Sequence, residues 1–99
     1  MWVISKRTVL EFIERHPETR EPMLTWHTLA AGCLAHDFHE LKLSFGSADH
    51  VPPQYTVFDV GGNRFRIVAA IHYNRQSLFV RHVLTHAEYD LWTRTNRRK

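Results

Sequence analysis

Cysteine is all but missing from this chain. Cys33 stands alone among 99 residues, which excludes an internal disulfide framework and a cysteine-based metal knuckle and suits a reducing compartment. Its ordinary role is that of a small buried hydrophobe on a helix. Long apolar runs are missing as well: nothing approaches the roughly 20 residues of a membrane span. The opening MWVISKRTV has no long apolar segment and no small-residue cleavage site, so a cytoplasmic protein with no membrane partner is expected. Glycine and proline number only four each, and no linker, repeat or low-complexity stretch stands out. Acidic residues are scarce in one region only. Residues 64–99 hold two Asp/Glu against eight Lys/Arg, whereas residues 1–63 hold eight against five.

What is present is globular. Hydrophobic residues make up 43% of the chain, with six Phe, three Trp and three Tyr, and this length suits one domain, 1–99, ending in a basic tail at 94–99. The clustered positive charge suits a polyanion, most simply a nucleic acid. A solubilising tail would explain the terminal arginines but not Arg64, Arg66 and Arg81, which fall inside predicted strands.

Hydrophobic spacing gives the elements. Trp2-Val3-Ile4 reads as a short strand, and Ser5 as the cap of a helix carrying Val9, Phe12 and Ile13. His16-Pro17 breaks that helix. A second, with Glu18 and Glu21 at its start, presents Trp26, Leu29 and Cys33 on one side and is weakened by Gly32. Residues 34–53 read as irregular, with turn signals at Gly46, Ser47, Asp49 and Pro52-Pro53. Within them Leu41-Lys42-Leu43-Ser44-Phe45 alternates, directing Lys42 away from the core. Strands are predicted over 55–60, 64–73 and 78–84, the first two joined by a Gly61-Gly62-Asn63 turn. Thr85 and Glu88 form a capping box for a last helix whose apolar side carries Leu91 and Trp92. The expected fold is α+β, in the order β-α-α-β-β-β-α, with a small, mostly antiparallel sheet packed on helices.

Chemistry concentrates in the last third. Strict alternation places Arg66 with Val68, Ala70 and His72, and Arg81 with Phe79, Val83 and Thr85. Hairpin loops of two or four residues bring Arg66 and Arg81 to one face, about one diagonal apart; three or five residues separate them. Two adjacent guanidiniums suit a phosphate between them. The alternative is a pair of exposed or carboxylate-paired arginines. His86 and Tyr89, one helical turn apart, share a face at the start of the last helix. Histidine moves protons near neutral pH, and tyrosine stacks on bases or moves a proton. With Lys42 and the arginines, these are the groups needed for RNA cleavage without a metal: a base for the ribose 2′-OH, cations for the phosphorane, an acid for the leaving 5′-oxygen. Asp90 reads as a salt-bridge partner and Glu88 as a cap. Among eight histidines, His36-x-x-His39 and His50 invite a metal, but no cysteine cluster or HExxH accompanies them, so neither metal nor other cofactor is expected.

Asp59-Val60-Gly61-Gly62-Asn63, Arg66-Ile67-Val68, Gln76, Phe79-Val80-Arg81 and Thr85-His86-x-Glu88-Tyr89-Asp90 together resemble the HigB-type toxins of bacterial type II toxin–antitoxin systems. Trp2-Val3-Ile4 and Leu41-Lys42 also fit, so the resemblance spans almost the whole chain; His36–His50 matches least. The resemblance implies a RelE-like fold and a ribosome-dependent mRNA interferase acting in the ribosomal A site. It implies Arg66 and Arg81 for phosphate contact and charge stabilisation, His86 as acid or base, Tyr89 stacking on the cleaved nucleotide and Lys42 as a supporting cation. Asn63, Arg64, Arg94 and Arg97 are further candidates for RNA contact. The implied partners are mRNA, the ribosome and a HigA-type helix-turn-helix antitoxin, with operator DNA reached only through that antitoxin. The competing expectation is a non-catalytic RNA- or ribosome-binding module.

Overall fold

The apolar stripe at Val9, Phe12 and Ile13 does form one face of a helix, and all three side chains are buried. The computed structural model describes residues 1–62 and 64–96. Its elements run β1 (Trp2–Ile4), α1 (Lys6–Arg15), α2 (Arg20–Gly32), α3 (Phe38–Ser44), β2 (Asp49–Val51), β3 (Tyr55–Val60), β4 (Phe65–His72), β5 (Ser77–Thr85) and α4 (His86–Asn96). Single 3₁₀ turns at Pro17–Thr19 and Tyr73–Arg75 join α1 to α2 and β4 to β5. The five strands form one open sheet in the order β1-β5-β4-β3-β2, antiparallel except where β1 runs parallel to β5. This is the expected α+β arrangement, with one helix and one strand more than the sequence suggested.

The extra elements lie in the stretch expected to be irregular. Leu41–Phe45 alternates in sequence, yet 38–44 is helical, with Leu41 buried and Leu43 81% exposed. The start is fixed by Asp37, whose carboxylate accepts from the Glu40 amide at 2.8 Å, while Glu40 accepts from the His36 amide at 2.7 Å. Asp37 thus caps the helix while Glu40 reaches back to the amide just before the cap, a variant of the capping box, and together they outweigh a five-residue alternation. Lys42 is exposed, as expected.

The sheet is covered on both faces. Phe58, Val60, Phe65, Ile67, Ala69, Leu78, Val80 and Val83 pack against Phe12 of α1 and Met23, Trp26 and Ala30 of α2. On the other face Val51, Val57 and Val68 form a smaller cluster, closed by Tyr55, Leu84 and the α4 residues Tyr89 and Trp92. A fully buried side chain such as Phe12 contributes about 2–3 kcal/mol. Some expected core positions are solvent-facing: Leu29 is 53% exposed and Leu91 62%, and Ala30 and Trp92 take the inward places beside them. Ser5 does not cap α1 through its side chain; it adopts φ 77°, and its carbonyl accepts the Thr8 amide at 3.0 Å.

Two local features set the register of the central ribbon. Gly61 and Gly62 have φ of 65° and 55°, which glycine adopts without a Cβ penalty, and a Cβ on Gly61 would lie 3.3 Å from the Phe65 ring. The β4–β5 ladder then shifts by one residue. Val68 pairs with His82 but Ala69 pairs with Val80, so Arg81 is the extra residue of a β-bulge. The strict alternation expected for β5 therefore fails: Leu78 and Val80 face the helical core together with Val83, while Leu84 faces α4.

Candidate functional site

Asp59 and Arg66 stand directly opposite each other on β3 and β4, so their side chains share a face. Arg66 Nε lies 3.0 Å from Asp59 Oδ1, and a terminal guanidinium nitrogen donates to the Phe65 carbonyl at 3.2 Å. Its Cζ is 5.2 Å from the centre of the Tyr89 ring. Arg66 is only 9% exposed, a costly position for a charge unless it is paired, hydrogen-bonded and stacked, as it is here. Lys42, Ser47, Asp49 and Val57 complete a cleft of about 390 Å³ around Asp59, Arg66 and Tyr89. Lys42 is held over the cleft by donating its ammonium to the Gly46 carbonyl at 3.1 Å. Two cations face two carboxylates, so the cleft is close to neutral.

Tyr89 reaches this cleft because α4 starts where it does. The Thr85 amide donates to Glu88 at 2.9 Å and the Glu88 amide to Thr85 Oγ1 at 3.2 Å, so the expected capping box forms. The His86 amide also donates to the Arg64 carbonyl at 3.1 Å, tying the helix start to the beginning of β4. The exposed His86 side chain sits one turn before Tyr89, its Nδ1 3.2 Å from Asp90 Oδ2, and it does not line the cleft. Asp90 thus engages one imidazole nitrogen of a ring that is otherwise exposed.

Arg81 lies elsewhere. The bulge removes it from the diagonal with Arg66, and it lines a second cleft of about 490 Å³ with Phe38, His50, Thr56, Ala70, His72 and Tyr73. The expected side-by-side phosphate pair is therefore not formed. Arg66 takes the carboxylate-paired alternative, and Arg81 lies 5.3 Å over the Phe79 ring. Arg64 is exposed over Phe65, its Cζ 5.3 Å from the ring centre, and Arg94 is exposed in the last turn of α4. Asn63 and Arg97 lie outside the described residues.

The sequence marked Asp49 only as a turn signal, Asp59 only as part of the family motif and Asp90 only as a salt-bridge partner. Asp59 was detectable: a hairpin closing through residues 61–64 places it opposite Arg66, a complementary charge pair. Burial raises the pKa of Tyr73, helped by the charges of Asp37 and Cys33 and opposed by Thr56, beside which its hydroxyl is enclosed without a well-formed hydrogen bond. Burial lowers that of His27, with Lys6 adding to the effect. Among the described residues, no three His, Cys, Asp or Glu side chains are grouped to hold a metal; His36 pairs instead with Glu40 at 3.1 Å.

A mostly antiparallel five-stranded sheet, helices on both faces and an Arg–Tyr cleft beside the last helix define a RelE-like toxin fold. The family model described as "HigB_toxin, RelE-like toxic component of a toxin-antitoxin system" matches residues 19–92. The chain is 31% identical to the mRNA interferase toxin HigB of Escherichia coli (strain K12), over all of this chain and 97% of that protein. It has the same identity and coverage with the mRNA interferase HigB of Shigella flexneri. A further mRNA interferase HigB, from Escherichia coli O6:H1 (strain CFT073), is 33% identical over 95% of this chain and 93% of its own length. This chain belongs to the HigB toxin family.

Proposed function

We propose that the chain is an mRNA interferase that cleaves messages on the translating ribosome, using the ribose 2′-OH as nucleophile and no metal. The observation carrying this reading is Arg66, desolvated, held by Asp59 and stacked on Tyr89 in a cleft that Lys42 also faces. Full-length relatives named mRNA interferases support it. In this mechanism His86 Nε2, oriented by Asp90, takes the 2′-OH proton, and the 2′-oxygen attacks the adjacent phosphorus. The P–O5′ bond breaks and the 5′-oxygen leaves with a proton taken from water, giving a 2′,3′-cyclic phosphate and a 5′-OH, while protonated His86 returns its proton to solvent. Arg66 and Lys42 bear the charge that builds on the phosphorane, and Tyr89 supports the base of the reacting nucleotide. Because His86 stands outside the cleft, the ribosome-bound message must bend across its rim. Arg81 contacts RNA away from the reacting phosphate, and Arg64 and Arg94 hold the backbone on either side.

The same reading makes the chain a single cytoplasmic domain neutralised by a HigA-type helix-turn-helix antitoxin, through which alone it reaches operator DNA. Mapping mRNA 5′ ends after induced expression tests the function. New ends within codons, absent in His86→Ala and Arg66→Gln, are the expected result. Growth arrest without new ends would identify a non-catalytic ribosome-binding module instead.

A further inference from the structure

β4 outruns its neighbour. The last β3–β4 pair is Tyr55 with Ala70, whereas β4 continues to His72, and the open end of the ribbon is the second cleft. Two of its lining residues rest on Phe79, which does not itself line it: Arg81 lies over the Phe79 ring at 5.3 Å, and the His72 ring meets it edge-on at 5.3 Å. Phe38 lines the cleft itself, with the exposed His50 ring 5.8 Å from it. Ala70, a small residue, leaves room beside them. No Asp or Glu lines this cleft, and Arg81 makes no ion pair among the described residues.

Each of these facts has a chemical consequence. A guanidinium braced on a ring keeps its planar N–H fork in one orientation and loses little freedom when it binds phosphate oxygens. With no carboxylate lining the cleft among the described residues, and Asp37 engaged as the cap of α3, its charge is available to an external anion. A wall of phenyl and imidazole rings offers a stacking surface that every nucleobase fits. A volume of about 490 Å³ lies within the range of small-ligand pockets, about 300–1,000 Å³. We propose that this notch is a second nucleotide subsite, taking one unit of single-stranded RNA with its phosphate on Arg81 and its base against Phe38 and His50. The proposal rests on the reading of the chain as acting on RNA. It adds that the RNA is gripped at two places, one in the Arg66 cleft and one beyond the bulge. An acidic protein segment would satisfy Arg81 but would not need the Phe38 and His50 rings that line the same cleft.

The test is NMR titration of the full chain with inorganic phosphate, adenosine 5′-monophosphate and a 2′-O-methylated RNA trinucleotide, which lacks the attacking hydroxyl. The nucleotide is expected to shift amides of His50, Ala70, His72 and Arg81 saturably, with the trinucleotide binding at least about tenfold tighter than the mononucleotide. Arg81→Gln is expected to weaken both by about tenfold or more, Arg81→Lys by less, because a lysine keeps the charge but not the fork. Phe38→Ala should weaken the nucleotide and leave inorganic phosphate unchanged. The subsite is refuted if phosphate alone binds as tightly as the nucleotide, or if Arg81→Gln binds like the parent chain. A trinucleotide no tighter than the mononucleotide would overturn the RNA assignment, as would an Arg81→Gln that loses only antitoxin affinity. The cleavage reading fails separately, through growth arrest without new mRNA ends, whereas ends that persist in Arg66→Gln would overturn the role of Arg66 alone.

Discussion

Arg66 and Arg81 belong to the same two-stranded ribbon, yet the fold treats them in opposite ways. Arg66 is sunk between Asp59 and Tyr89 in a cleft where positive and negative side chains balance. Arg81 is exposed on Phe79 in a cleft that no carboxylate lines among the described residues. A buried, neutralised arginine is a positioned group: it contributes when charge develops beside it and does little to attract a polyanion from a distance. An exposed arginine without a carboxylate does the reverse. On the proposed reading the contrast divides labour between chemistry at Arg66 and grip at Arg81, and it can be attacked from either side.

The largest effect is expected from Arg66→Gln, which should lower mRNA cleavage on the order of a hundredfold or more, measured as cleaved message per unit time on purified ribosomes. Arg81→Gln in the same assay should raise the RNA concentration needed for half-maximal rate and leave the maximal rate nearly unchanged. Equal loss of maximal rate in both variants would erase the distinction between the clefts.

Asp59→Asn should be next. It keeps the shape but leaves the Arg66 charge poorly compensated, and urea unfolding should show a loss of about 2 kcal/mol. The corresponding change beside Arg81 cannot be made, since no carboxylate is there to remove. Thr85→Ala removes one half of the α4 capping box and should cost about 1 kcal/mol. Because α4 carries Tyr89, its activity loss should be confined to the Arg66 cleft and leave nucleotide binding at the notch intact.

The smallest effects are those of pH. Tyr73 borders the notch and its pKa lies above 10.0 in the folded chain, so the unfolded chain loses this proton first as pH rises. Its contribution is complete below 10.0 and disappears as the pH climbs through the raised value; Tyr73→Phe should flatten alkaline unfolding curves. His27 behaves oppositely. Its pKa lies below 6.5 in the folded chain, so its contribution is present above 6.5 and is lost as the pH falls toward the depressed value. His27→Gln should reduce acid sensitivity without touching either cleft.

Where a signal was local, the sequence carried it. Thr85 and Glu88 sit three apart and cap each other, and Gly61-Gly62 needs positive φ and has it. Phe65, Ile67 and Ala69 alternate and are buried together. The helix at 38–44 was also announced locally, by Asp37 and Glu40 at capping-box spacing, but Leu41–Phe45 fits a strand period equally well and masked it. The three-residue strand Asp49–Val51 is too short for any periodicity and exists because β3 offers it an edge. For the site, Arg66 and Tyr89 were legible as chemistry-bearing residues, and the structure puts them in contact. The partnership of Arg66 with Arg81 was not legible, because it depends on how two strands count against each other.

That count lies in the extra residue at Arg81. Written as a reading frame of faces, β5 is in one phase through Val80 and in the other from His82 onward, which is how a single strand supplies Val80 to one layer and Leu84 to the other. Such a position is indifferent to spelling and can be lost without loss of phase. Arg81 can be replaced by many side chains with the frame intact, and its deletion makes Val80 and His82 consecutive opposite Ala69 and Val68, so the ladder becomes regular and every residue from His82 to Thr85 keeps its face. A one-codon deletion there should leave a folded chain that lacks only the notch arginine, whereas a one-codon deletion at Val83, inside the regular ladder, should turn Leu84 and Thr85 over and disrupt folding.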